Sequence, residues 1–149
     1  MSCKIAEQAK IGVGFKHGEN VIIEANVIIG TNVEIGHNVI IRENVHIGDN
    51  CKILDGAILG KMPAKASMSA TTGAARELSP LEIGKAVTVG ASCVIYRGAK
   101  ISDMAFFGDL ATVREDVTIG EGTIIGRGAT IENKVTIGKK TKIETNAYI

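Results

Sequence analysis

The chain repeats itself every six residues, and that period limits what it can fold into more than any other feature. Positions 5, 11, 17 and onward to 59 carry Ile or Leu, apart from His17. The series resumes at 83 and runs to 149 with Ile, Val or Phe, so 21 of 22 positions in the phase are apolar. Naming this position i, position i+4 is small or apolar throughout, from Phe15 and Val21 to Cys51 and Ala57, then from Val87 to Ala147. Charged residues collect at i+2, i+3 and i+5. Two inward positions in every six match neither a helical period nor simple strand alternation. They fit a short strand followed by a corner, repeated.

The corner has its own chemistry. Position i+1 is often glycine, as at Gly12, Gly30, Gly36, Gly48, Gly84 and Gly90. Position i+3 is asparagine six times in succession, from Asn20 to Asn50, and later includes Gly98, Gly122 and Gly128. Asn and Gly tolerate a positive φ, which the third residue of a type II turn requires. Three hexads close one triangular coil, with β-branched residues inside each strand. The expected fold is therefore all-β, a parallel β-helix of roughly seven coils stacked at about 4.8 Å into a prism on the order of 30–35 Å long. A narrow prism has no room for rings, and aromatics are only 3% of the 149 residues although 45% are hydrophobic.

Composition excludes several classes. Two prolines among abundant Ile and Val do not describe a disordered chain. A net charge of +1 lacks the basic excess of a nucleic-acid binder. No apolar run reaches 18 residues, so no membrane partner is expected. The N-terminus shows no basic stretch followed by an apolar one. The expectation is a cytoplasmic protein of one domain, 1–149. The coils run over 5–59 and 83–149, and a loop at about 60–82 is extruded between them. That loop, rich in Ser, Thr, Ala and Lys, cannot build a core, and a long loop on a compact solenoid is either functional or disordered. Cys3, Cys51 and Cys93 all fall at i+4, which reads as small buried hydrophobes in a reducing compartment.

The repeat, written Ile-Gly-x-Asn-Val-x, resembles the hexapeptide-repeat transferases. The stretch from Gly84 to Ile149 carries Ile95-Tyr96-Arg97-Gly98, Val113-Arg114-Glu115-Asp116-Val117 and Ile124-Ile125-Gly126-Arg127-Gly128. It looks like acyltransferases related to the bacterial N-acetylglucosamine-1-phosphate uridyltransferase group. The resemblance implies a left-handed coil and a homotrimer. It also implies transfer of an acyl group, from acetyl-CoA as co-substrate, to an amine or hydroxyl of a sugar, sugar nucleotide or similar small acceptor. Such enzymes typically continue into a Val-Val-x-x-Asp-Val-Pro stretch and a Gly-Asn-Pro-Ala motif. This chain stops at Ile149 without them, as expected of a form truncated partway along its solenoid.

Acyl transfer needs a general base near the acceptor, most often His. His37, at i+2 on a corner, is the first candidate, and His46, at i+5 on a flat face, is the second. His17, at an i position, reads as an inward-facing or partly exposed histidine of the first coils. Arg42 and the loop's Arg76 are the candidates for holding substrate, and Lys61 and Lys65 could also contact a phosphate. Two other classes stand beside this reading. One is a γ-class carbonic-anhydrase-like metalloprotein. There His37 matches a ligand position, but Arg42 and Gly60 occupy the other two, and arginine does not replace imidazole on zinc. No metal is therefore expected. The other is a non-catalytic or truncated β-helix.

Overall fold

The computed structural model describes residues 3–64, 66–68 and 77–149. They form a parallel β-solenoid of about seven turns, with no helix among the described residues. Its three sheets have seven strands each. Sheet 1 runs from Lys4–Ile5 through Ile22–Ile23, Ile40–Ile41, Ile58–Lys61, Val94–Tyr96 and Thr112–Val113 to Thr130–Ile131. Sheet 2 begins at Lys10–Ile11 and includes His46–Ile47, Glu82–Ile83 and Lys100–Ile101. Sheet 3 begins at Lys16–His17 and includes Glu34–Ile35, Lys52–Ile53 and Phe106–Phe107. Neighbouring strands pair 18 residues apart, as Lys4 does with Ile22, and 36 apart across residues 62–81, as Ile58 does with Val94, so the hexad period becomes an eighteen-residue coil.

Positions i and i+4 point into the prism. Val21, Val27, Val33, Val39, Cys51, Ala57 and Cys93 are fully buried, and so are Leu59, Ile95 and Phe107. The one polar residue at i+4 of a middle coil, Thr123, is fully buried too. Its hydroxyl donates to the Gly138 carbonyl at 2.6 Å and accepts the Thr141 amide, so its burial carries no unmet hydrogen bond. The inward reading weakens in the first turn. His17 and Ile5, in the first described turn, are exposed. His17 packs on Phe15, and its Nδ1 lies 2.9 Å from the Gly18 carbonyl.

Glycine at i+1 answers to the coil above it. At Gly30, Gly36 and Gly84, an added Cβ would collide with Oδ1 of Asp49, Asp55 and Asp103. Those carboxylates accept the amides of Thr31, His37 and Lys85, each at 2.8 Å. The glycine clears space for a side chain that caps the corner amide of the turn beneath. Asn20, Asn26, Asn32, Asn38, Asn44 and Asn50 all hold φ between 54° and 66°, as the corner needs. In the later coils Ala86, Ser92, Met104 and Leu110 take the same conformation without asparagine's tolerance for it.

Candidate functional site

The three edges of the prism are not equivalent. Along the edge where sheet 3 passes into sheet 1, corner follows corner without interruption. His37 stands there, and its Nδ1 accepts the Glu19 amide at 2.8 Å. Asp55 Oδ1 does the same for the His37 amide and Asp109 Oδ1 for the Ala91 amide. His37 thus fills the rung that aspartate fills elsewhere. With Nδ1 accepting an N–H, the proton of the neutral ring is on Nε2, which leaves no outward lone pair.

The edge where sheet 1 passes into sheet 2 is where the regular corner breaks. Gly60 adopts φ of 85° at i+1, a position that is otherwise not left-handed, and the pairing register with Val94–Tyr96 shifts between Leu59 and Lys61. This is a one-residue bulge that re-aims the strand outward. A Cβ at Gly60 would meet Val45 Cγ2 at 2.5 Å, so the bulge admits only glycine. The strand continues to Lys61, and on the return Leu78 and Leu81 are buried. The excursion is thus shorter than 60–82 at both ends, because Lys61 still pairs and Leu81 fills an i+4 position.

Arg97 holds both feet of the excursion. Its amide donates to the Lys61 carbonyl at 2.9 Å, and its Nε donates to the Leu78 carbonyl at 3.2 Å. Its Nη1 donates to the Glu43 carbonyl at 2.8 Å. At the preceding coil the equivalent carbonyl, Ala25, accepts the corner amide of Asn44. The chain leaves the prism before it can supply such an amide to Glu43, and the guanidinium takes its place.

Around this foot lies a hollow of about 180 Å³ lined by Glu24, Arg42, Glu43, Asn44, Gly60, Met62 and Arg97. Arg42 is half-exposed on its rim and pairs with Glu24 at 3.5 Å. Past the corner, His46 opens the next strand of sheet 2, exposed, and its register partner in the coil above is Glu82, the first residue of the strand that resumes after the excursion. Above Lys61, Tyr96 carries two cations on its ring: Lys61 Nζ at 4.9 Å and the Arg114 guanidinium at 4.7 Å from the centroid. Arg114 grips Glu115 through Nε at 2.9 Å and through a second nitrogen at 3.4 Å, and Glu115 is 6% exposed.

Of the residues singled out in the sequence, Arg42 lies on the corner that bears the excursion, His46 opens the strand of sheet 2 that follows it, and His37 is on another edge. Arg76 and Lys65 lie outside the described residues. Tyr96, Arg97, Arg114 and Glu115 were noticed only as parts of a resemblance. Counting by eighteen rather than six would have gathered Glu24, Arg42, Gly60, Leu78, Tyr96, Arg114 and Glu132 into one column.

Cys51 and Cys93 offer no nucleophile to this edge, whereas Cys3 is only partly buried. Burial raises the Cys93 thiol to about 11 and raises Cys51 as well, and both donate to carbonyls, of Gly108 and Gly84 respectively. Among the described residues, no three of His, Cys, Asp and Glu are grouped to hold a metal ion.

The family model for bacterial transferase hexapeptide repeats matches residues 16–47, 32–61 and 98–133, more than half of the chain. The chain belongs to this hexapeptide transferase family. No curated protein sequence matches it. Among solved structures it is similar to LpxA, a UDP-N-acetylglucosamine acyltransferase from Bacteroides fragilis, with 26% identity and a TM-score of 0.88 over 98% of this chain. It spans 57% of the length of that enzyme. The UDP-N-acetylglucosamine acyltransferase from Campylobacter jejuni shares the fold, with a TM-score of 0.77 at 23% identity over 99% of this chain and 65% of its own. No helix among the described residues is long and apolar enough to cross a membrane.

Proposed function

We propose that this hexapeptide transferase moves an acyl group from a thioester, acetyl-CoA, to an amine or hydroxyl of a sugar, sugar nucleotide or similar small acceptor. The observation that carries the reading is the register pairing of His46 with Glu82, of the strand that resumes after the excursion, in a solenoid similar to a sugar-nucleotide acyltransferase. His46 removes the acceptor's proton as the acceptor attacks the thioester carbonyl, and returns it to the departing thiolate as the carbon–sulfur bond breaks. Arg42 on the rim of the hollow, with Arg76 of the loop, holds the acceptor. His37 is the second choice for the base, since the corner amide of Glu19 already occupies its Nδ1.

A homotrimer fits the outer face of sheet 1. Beyond Lys4 of the first strand, its outward side chains Ile22, Ile40, Ile58, Val94, Thr112 and Thr130 carry no charge, whereas Lys10, His46, Glu82 and Lys100 interrupt the face of sheet 2. Covering that apolar strip would be favourable. The deciding experiment incubates the chain with acetyl-CoA and a panel of amino sugars and UDP-sugars while free thiol is followed. Acceptor-dependent thiol release is expected, from a species that sediments as a trimer at micromolar concentration. No thiol release with any acceptor would overturn the reading.

A further inference from the structure

The excursion does more than leave the prism: it delivers a cation. Lys61 is the last residue to pair before it, fixed by pairing with Tyr96 and by the Arg97 amide on its carbonyl. Its ammonium sits over the Tyr96 ring on one side of the cluster and Arg114 closes on the same ring. Both cations lie within about 5 Å of one centroid, and hence within about 10 Å of each other.

We infer that Lys61, Tyr96 and Arg114 form a binding site for a phosphoryl group. Charge is the first argument. Of the cations at this foot, Arg114 has a carboxylate partner, Glu115. Lys61 donates only to the Met62 carbonyl, at 3.2 Å, and the Arg97 guanidinium donates only to carbonyls. Lys61, within the site, is thus left without a counter-charge among the described residues.

Donor count is the second argument. Arg114 spends its Nε–H and one further N–H on Glu115, and Lys61 spends one of its three on Met62, which leaves N–H groups on both free for acceptor oxygens. A guanidinium fork and a compact ammonium are the two side chains best suited to phosphate oxygens. Rigidity is the third. Arg114 is held by Glu115, which is itself buried, and the Lys61 ammonium rests on the Tyr96 ring, so part of the ordering precedes binding.

Under the acyl-transfer reading, on which only the ligand's identity rests, the phosphate belongs either to a nucleotide on the acceptor or to the nucleotide portion of the coenzyme. Titration calorimetry of the full chain with UDP and, separately, with adenosine 3′,5′-bisphosphate distinguishes these sources, and inorganic pyrophosphate serves as the bare probe. The wild-type chain should bind at least one of the three. Lys61→Met and Arg114→Gln should each weaken that binding roughly tenfold, and Arg114→Lys should recover part of it. Circular dichroism melts of each variant establish that the solenoid is intact. No binding of any probe by the wild type overturns the site, even where thiol release from acetyl-CoA is seen. Unchanged affinity in well-folded Lys61→Met and Arg114→Gln variants overturns it as well. Binding that these variants weaken supports the site even if acyl transfer is absent, since the readout needs no turnover.

Discussion

Two edges of the same prism have been put to different uses. Along the edge from sheet 3 to sheet 1, residues Asn20, Asn38, Gly56, Ser92, Leu110, Gly128 and Asn146 repeat one left-handed corner. Each corner amide from Asn38 onward bonds the coil beneath, and His37, Asp55 and Asp109 cap it. Along the edge from sheet 1 to sheet 2 the ladder opens at Gly60, and an arginine side chain stands in for a missing backbone donor. The lesson is that a solenoid gains a reactive edge by giving up a repeat. Where the corner is complete, polar groups are consumed in holding coils together. Where it is broken, cations, a histidine and a carboxylate are left facing outward.

The sharpest way to break this contrast is to remove the histidine of each edge. His46→Ala should lower acceptor-dependent turnover by about 10²–10⁴-fold, the usual worth of a general base. His37→Ala should leave turnover within a few-fold and instead cost about 1 kcal/mol of stability, because one corner amide loses its acceptor. Steady-state rates and denaturant melts on both variants decide the matter. A reversed pattern would move the chemistry to the unbroken edge. His37→Asp adds a control: aspartate already fills this rung at Asp55 and Asp109, so it should restore most of the lost stability.

Arg97 tests whether the broken edge is held as described. Arg97→Ala removes two charged hydrogen bonds, to the Leu78 and Glu43 carbonyls, and should cost about 1–3 kcal/mol. Because those bonds tie down the feet of the excursion, cleavage between Met62 and Pro80 by a dilute protease should accelerate well before the prism melts. A variant that melts earlier but is cleaved no faster in the excursion would show that Arg97 serves the prism alone.

How much of this was legible beforehand follows from what each residue answers to. The coils were readable because every hexad solves one problem, an aliphatic at i and a small residue at i+4, and solves it alike at Ile23, Ile41 and Ile131. The clearance of Gly36 for Asp55 was hidden, because it joins residues 19 apart and emerges only once the pitch of the coil is known. The site was hidden for a related reason. Phase within the hexad marks His37 and His46 alike as outward-facing, and only position within the eighteen-residue coil separates their edges. Arg97 stood in the sequence only within a family resemblance, which says nothing of its role in replacing a donor that the excursion removed.

The smallest effect concerns the unbroken edge itself. Leu110 adopts φ of 66° and is 61% exposed, so it bears the steric cost of a left-handed corner while burying little in return. Asparagine tolerates that conformation, as Asn38 shows at an equivalent corner of the same edge, with its amide 2.9 Å from the Glu19 carbonyl. Leu110→Asn should therefore stabilise the chain by about 0.5–1 kcal/mol, and Asn38→Leu should destabilise it by a similar amount. Leu110→Gly should gain less than Leu110→Asn, because glycine also loosens the unfolded chain. Opposite signs for the first two, measured by denaturant melts under one set of conditions, would mean that each corner is governed by its own backbone. Equal signs would mean that stacking between coils outweighs the local conformation, and the two edges would then differ in what they expose rather than in how they are built.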